Sequence, residues 1–486
     1  MKNHSLAFNS FFNVIYRTLN LLFPLAVYAY VARIINSDLI GEVGFAQNIT
    51  QYFVLLSTLG IPSYGTREIA RTRDNNALRD KVFTELFCLN AISTSVCLII
   101  YTILIFTISA LKSHFILFLI TGINLFLNYI NVDWVYHGHE QYRYIAIKSF
   151  IVKIISLASI FIFVSNSNDY LKYALISAVA LAGNNIYNVA HLKKLGIRIE
   201  KIDLDIKKHL GPVFNLLCTT IAIELYTLLD TTMIGIECSK DNVAFYNYAM
   251  RITKAIIAIV AAIGGVLLPR LSYYKGQNNL DGCTLIVEKT LNIMIYFFIP
   301  SAVGISICAR EIILFLYGEG FLNSIPILIV SSLLVVTLGF NNLFGTQILI
   351  TFGKENKLMF ATIVGAASNI IFNYFLISRY QGVGAVIASV FSETLVTSLT
   401  LYYAKNVMKI RINKRNLFIS IISCVIMGGV LFVLKIIMHQ GALLLFVEVT
   451  LGIIIYVTFT IQLKNTVAVE IMNRISSILR SNLAFR

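Results

Sequence analysis

Long apolar runs separated by short polar connections dominate the chain. A run of about 20 apolar residues suits a helix that crosses a bilayer. On that basis the expected spans are 11–33, 43–61, 82–109, 114–136, 147–165 and 171–190. A second group covers 210–236, 242–268, 285–308, 325–352, 358–378 and 383–404, followed by a final pair at 417–438 and 442–463. Barrel strands are only about 10 residues long and alternate with period two, a pattern these runs lack. The expected fold class is therefore all-α, a polytopic membrane protein of about 14 transmembrane helices. Beyond the last run, Val467, Ile471, Ile475, Ile478 and Leu479 recur at helical spacing, with Arg474 and Arg480 elsewhere on the wheel. That pattern predicts an amphipathic helix lying in the membrane plane.

Composition narrows the reading further. With 57% hydrophobic and 13% charged residues over 486 positions, little chain is left for a folded soluble domain. The first run carries Pro24 and is followed at once by further runs, so it reads as helix 1 rather than a removable signal peptide. A net charge of +15 would fit nucleic acid on a soluble fold, but here the charges sit between apolar runs and act as topology signals. With the N-terminus inside, the inner segments hold 27 of the 39 Lys and Arg, the outer ones 7, and the span interiors 5. Both termini are thus expected to be cytoplasmic. Seven cysteines fall singly along the chain, which predicts free thiols and no structural metal. His137-Gly138-His139-Glu140 has no further histidine nearby and reads as a solvated turn rather than a metal site.

The chain also resembles itself. Ile40 to Thr50, entering span 2, aligns with Val243 to Thr253, entering span 8, at an offset of 203. The same offset pairs Arg67 with Arg270 and Asn75-Asn76 with Asn278-Asn279. Gly138-x-Glu140 matches Gly353-x-Glu355 at an offset of 215. Two six-helix lobes are expected, 1–200 and 201–410, with an extra helix pair at 411–463 and a cytoplasmic tail at 464–486.

No phosphate-binding loop of the G-x-x-x-x-G-K-[ST] type occurs, and the outer loops are too short for a catalytic domain. What remains is charge inside the spans, which costs at least about 2.5–3.5 kcal/mol per residue near the bilayer centre. Arg17, Lys153 and Lys289 lie toward span ends and can snorkel. Arg251 and Lys254, spaced i, i+3, share a face near the middle of span 8. The acidic set is Glu85, Asp133, Glu224, Asp230, Glu393 and Glu448. Asp133, beside Trp134, suits an interfacial cap. Glu224 and Asp230 occupy the same half of the membrane as the two central bases. Salt bridges between spans 7 and 8 and an anion-binding cavity are both open readings. The repeat counterparts of Arg251 and Lys254 are Asn48 and Gln51, which suggests a shared inward face.

Taken together, the span plan, Gly60-Ile61-Pro62-Ser63-Tyr64-Gly65-Thr66-Arg67-Glu68-Ile69-Ala70-Arg71, Asp133-Trp134-x-x-x-Gly138-x-Glu140-x-Tyr142 and Leu225 to Gly235 resemble the Wzx-type polysaccharide repeat-unit flippases. Those flippases belong to the multidrug/oligosaccharidyl-lipid/polysaccharide exporter superfamily. The resemblance implies two six-helix lobes around a cavity, and alternating access that carries an undecaprenyl-diphosphate-linked oligosaccharide to the outer leaflet of a bacterial cytoplasmic membrane. It implies a transporter with no cofactor, with membrane lipids, a polysaccharide polymerase and a chain-length regulator as partners. A diphosphate needs cations, so Arg251 and Lys254 are the first substrate-binding candidates, followed by Arg17, Lys153 and Lys289. Glu224, Asp230 and Asp133 are the candidates for gating or for coupling to H+ or Na+. The rivals are an ion-coupled multidrug exporter, for which an acid-dominated cavity is expected, and a membrane glycan polymerase or ligase, which needs a large outer loop.

Overall fold

A hydrocarbon environment offers the backbone no hydrogen-bond partner, so each apolar run closes its own ladder as a helix. In the computed structural model, residues 16, 20, 23–199, 204–265, 267–438 and 441–484 are described. Among them the secondary structure is helical. Internal contacts divide the chain into two units, Met1–Ala244 and Phe245–Arg486. Among the described residues, seven helices are by themselves long and apolar enough to cross a membrane.

The first unit begins with α1 (23–31) and α2 (Ser37–Thr58), then α3 (Ile61–Thr72), α4 (Asn76–Thr107), the single turn α5 (Ser109–Lys112) and α6 (Phe115–Leu127). It continues through α7 (Asp133–Gly138), α8 (Tyr142–Phe163), α9 (Tyr170–Ala182), α10 (Asn184–Leu192) and α11 (Lys207–Glu237). Two expected spans are therefore interrupted. Span 114–136 breaks after α6 at a 3-10 turn, Asn128–Ile130. There the buried Asn128 side chain donates to Ser57 Oγ at 2.9 Å and Thr94 Oγ1 at 3.1 Å. Span 171–190 breaks at Gly183 between α9 and α10.

Two of the sequence stretches singled out above meet in this unit. Leu59 and Gly60, both at positive φ, end α2 and turn the chain into α3, with Pro62 in its first turn. Helix α3 then lies on α7. A Cβ on Gly65 would stand 2.5 Å from Trp134 Cε3, and one on Gly138 would stand 2.7 Å from Ile69 Cγ2. Around this contact Ile69, Phe83, Leu86, Val135 and Tyr136 form a core.

The second unit holds most of α12 (Lys240–Gly265), then α13 (Leu267–Gly276), α14 (Leu280–Ile307), α15 (Ala309–Tyr317), α16 (Ser324–Ser331) and α17 (Leu333–Asn341). The last of these runs on as a π-helix over Asn342–Leu349. Next come α18 (Glu355–Lys405), α19 (Lys414–Ile437), α20 (Ala442–Gln462) and α21 (Thr466–Ala484). At 1.5 Å per residue, the 51 residues of α18 would extend to about two and a half times a hydrocarbon core. Its backbone breaks at Gln381 (φ 53°) and doubles back so tightly that a Cβ on Gly384 would meet the Leu376 carbonyl oxygen at 2.2 Å. That break separates the two runs expected at 358–378 and 383–404.

Corresponding helices in the two units carry corresponding contacts. Thr50 in α2 bonds the Thr121 hydroxyl of α6 at 2.9 Å, and its counterpart Thr253 in α12 bonds the Ser331 hydroxyl of α16 at 2.7 Å. Asn75 caps α4 and Asn279 caps α14. The turns before α8 and α18 place Glu140 and Gly353 at positive φ, 213 residues apart, so the structural register differs by two from the sequence match. Both units expose large apolar side chains outward, with Ile162 at 70% and Ile436 at 73%, as a lipid-facing surface requires.

Candidate functional site

Along α12, Ile252, Thr253 and Ala255 are buried, and the Thr253–Ser331 hydrogen bond fixes the helix's rotation. Three residues apart on a helix are separated by about 60° around the axis. Arg251, half-buried, and Lys254, exposed, are therefore near neighbours on one face of the helix. Such a face can receive an anionic group with a bidentate guanidinium and a mobile ammonium.

In the first unit, α11 carries Glu224 on an exposed position and Asp230 at 2% exposure. The seam between α2 and α11 is polar next to Asp230. Asn48 Nδ2 donates to Leu228 O at 3.0 Å and to Thr232 Oγ1 at 2.8 Å, and the Tyr52 hydroxyl lies 3.0 Å from the same Thr232 oxygen. Asn48 is thus a fastener between two helices, whereas Gln51, one turn on, is exposed like its counterpart Lys254.

The remaining predicted residues are held separately. Arg17 falls outside the described residues. Lys153, 8% exposed, hydrogen-bonds Asn20 and stands 5.8 Å above the Phe23 ring, so helix 1 and α8 are joined through it. Lys289 Nζ pairs with Glu470 Oε1 of α21 at 2.8 Å. Asp133 is more than a helix cap. Its Oδ1 accepts from Lys148 Nζ at 2.9 Å and from Asn188 Nδ2 at 2.6 Å, and Lys148 also donates to Asn188 Oδ1 at 2.7 Å. These three side chains knit α7, α8 and α10 together.

Sequence reasoning overlooked several of these partners. Lys148 counts only as an inner-end charge along the chain, and its partner Asn188 lies 40 residues away. Glu85, completely buried, accepts from Lys208 Nζ at 2.7 Å, from His209 Nε2 at 2.9 Å and from the Asp205 backbone N–H at 2.9 Å. His209 Nδ1 in turn lies 2.9 Å from the Tyr64 hydroxyl, which ties the α3 motif to the start of α11. In the second unit, Lys435 Nζ bridges Glu311 Oε2 at 2.6 Å and Glu448 Oε1 at 3.8 Å.

The His137–Glu140 segment also departs from expectation. Gly138 is buried under Ile69, and both histidines are partly buried, because α3 packs over the turn. Burial pushes both imidazoles below their usual range, and the charges of Arg79 and Arg73 add to this at His139.

Comparison with known proteins adds to this geometry. The profile of a family described as "Polysaccharide biosynthesis protein" matches residues 6–275, and that of the MatE family matches 216–375. An Escherichia coli K12 protein named "Putative O-antigen transporter" is 23% identical over 405 residues, covering 81% of this chain and 96% of its own. A Haloferax volcanii protein named "Probable low-salt glycan biosynthesis flippase Agl15" is 24% identical over 242 residues, 49% of this chain and 50% of its own. Among solved structures, the lipid II flippase MurJ in an inward closed conformation superposes with a TM-score of 0.76 at 16% identity, covering 94% of this chain and 99% of that one. An inward-facing multidrug resistance MATE transporter of the MOP superfamily gives 0.61 at 14% identity, covering 79% and 93%. The shared fold is that of these transporters.

Proposed function

The chain belongs to the polysaccharide biosynthesis protein family, and from that premise we propose that it is a flippase that moves lipid-linked oligosaccharide repeat units across a membrane for surface polysaccharide synthesis. Relatives named as O-antigen transporter and glycan flippase support that substrate class. The observation that carries the reading at residue level is the pair of bases Arg251 and Lys254, one turn apart on α12. A lipid diphosphate is anionic, and a guanidinium plus an ammonium in a low-dielectric setting bind it far better than a polar uncharged face would. A cavity for organic cations calls for the opposite sign, which disfavours the multidrug-exporter reading.

In this proposal the protein sits in a bacterial cytoplasmic membrane with both termini inside, as the charge asymmetry of its loops suggests. The bound unit is an undecaprenyl-diphosphate-linked oligosaccharide. Transport proceeds by alternating access, without a cofactor. An ion gradient of H+ or Na+ supplies the work, with Glu224 and Asp230 on α11 as the coupling candidates. One charge crossing 100 mV yields about 2.3 kcal/mol. A polymerase and a chain-length regulator act on the product.

The test is transport complementation in a null strain, with lipid-linked intermediates extracted and counted. Arg251→Ala and Lys254→Ala are expected to abolish complementation while membrane abundance is kept, and repeat units accumulate on the cytoplasmic side. Arg251→Lys should retain part of the activity, because charge survives and the bidentate fork does not. If Arg251→Ala fails and the Arg251→Ala/Glu224→Ala double variant recovers transport, the bases are structural partners and the binding role is wrong.

A further inference from the structure

The ion pair that places Lys289 against the C-terminal helix lines a cleft that the transport reading leaves without a role. The cleft lies between α13, α14 and α21, with a volume of about 360 Å³. The charged residues lining it are Arg270, Lys289, Glu470 and Arg474. Glu470 Oε1 accepts from Lys289 Nζ at 2.8 Å and from Arg474 Nη2 at 3.0 Å, so one carboxylate holds two cationic heads. Arg270 stands exposed beside them. Three bases against one acid leave a local excess of two positive charges. Ile286, Ile293, Phe297 and Ile471 form an apolar wall.

The roof of this cleft is fixed. Val467 and Ala468, in the first turn of α21, are buried against Tyr296, Cys424, Met427 and Tyr456. Asn416 donates to Thr466 Oγ1 at 2.6 Å and accepts from the Thr466 backbone N–H at 3.3 Å, which pins the start of the helix to α19. The cleft is therefore a built feature of the second unit and does not depend on the mobility of an exposed tail. On α14 beside it, Leu285 points outward at 72% exposure, the mark of a lipid-facing flank.

We propose that this cleft is a binding site for an anionic phospholipid of the surrounding bilayer. The phosphate sits among Arg270, Lys289 and Arg474, and an acyl chain lies along the Ile286–Ile293–Phe297 wall. Basic recesses between membrane helices recognise anionic headgroups in this way, each base near the surface strengthening binding roughly fivefold. A zwitterionic headgroup brings its own cation and gains little from the excess charge. A free phosphate lacks the chain that the apolar wall would cover. The occupant locks α21 onto α13 and α14, so the lipid acts as a clasp for the C-terminal helix. The inference needs only that the chain is embedded in a membrane, and it stands apart from the identity of the transported glycan.

The test uses the full-length protein, delipidated in neutral detergent. Lipid retention is read by native mass spectrometry and stability by thermal melting, with dioleoyl-phosphatidylglycerol, dioleoyl-phosphatidylcholine, undecaprenyl phosphate or sodium phosphate added. Phosphatidylglycerol is expected to be retained and to raise the melting temperature, while phosphatidylcholine and phosphate do neither. Arg270→Gln/Lys289→Gln should weaken phosphatidylglycerol retention by roughly 25-fold, two bases at about fivefold each. Glu470→Gln separates this proposal from a purely structural ion pair. It removes the acid that competes with the lipid, so retention should rise about fivefold, whereas a structural role predicts only a lower melting temperature. Unchanged or weaker retention in Glu470→Gln overturns the proposal, as does equal retention in the double variant. Stabilisation by phosphate alone, or by undecaprenyl phosphate and not phosphatidylglycerol, also overturns it.

Discussion

Removing the Lys435 ammonium should destabilise the second unit severely, because two buried carboxyls depend on it. Lys435 closes the last turn of α19, Glu311 lies in α15 and Glu448 in α20, so the cluster ties three elements together. Glu311 is 6% exposed and Glu448 not at all. At an effective dielectric near 20, unit charges attract by about 6 kcal/mol at the 2.6 Å of the Glu311 contact and about 4 kcal/mol at the 3.8 Å of the Glu448 contact. Desolvation offsets most of that gross attraction. What remains on deleting one partner of a buried pair is about 3–5 kcal/mol, because the acids are left without their counter-charge. For Lys435→Met this corresponds to a fall on the order of 10 °C in the detergent melting temperature for a unit of this size. Among the described residues Glu448 makes one ion-pair contact, the long 3.8 Å one to Lys435, and otherwise meets the neutral Cys308 thiol, so Glu448→Gln should cost less than about 1 kcal/mol. Glu311→Gln should cost more, and Glu311→Gln/Lys435→Met should recover part of the loss, because one of the two stranded carboxyls is gone. The assay is melting of the purified single and double variants followed by tryptophan-independent light scattering. A Lys435→Met protein that melts within 2 °C of the parent by this measure, taking about 2 °C as under 1 kcal/mol, or a double variant that recovers nothing, refutes the electrostatic account.

Two further outcomes follow from the first unit. Gly65→Leu inserts a side chain where even a Cβ would stand 2.5 Å from Trp134 Cε3. Overpacking of this kind costs about 1–3 kcal/mol, and Trp134→Leu in the same chain should restore part of the lost abundance; no recovery would argue against the α3–α7 contact. His137 and His139 are held below their usual range by burial, so the folded state binds protons less readily than the unfolded one. Stability should be level above the unfolded value near pH 6.5 and fall as pH drops below it. His137→Gln/His139→Gln should flatten that slope in a melting series, and an unchanged slope would assign it to other groups.

The periodicity of apolar positions determined much of this protein without any tertiary information. Runs of about 20 residues without period-two alternation had to become helices, since the other backbone pattern that survives in lipid, the closed barrel, needs short alternating strands, and the repeat near an offset of 203 already paired Thr50 with Thr253. The face shared by Arg251 and Lys254 was legible for the same reason, because i, i+3 neighbours follow from helix geometry alone. What the pattern could not state was which charges meet. Lys148 with Asp133 and Asn188, Glu85 with His209, and Lys289 with Glu470 are joined across 15 to 181 residues of chain. Lys148, Glu85 and Lys289 each lie near the end of a span expected from sequence, where an interfacial position accounts for an isolated charge equally well. Even the role of Asn48 turned on packing, since no sequence comparison with Arg251 could show that Asn48 donates into α11. Helix formation is decided within a few residues by local backbone chemistry. The pairing of buried charges depends on which helices are brought side by side, and that is settled only when the helices pack.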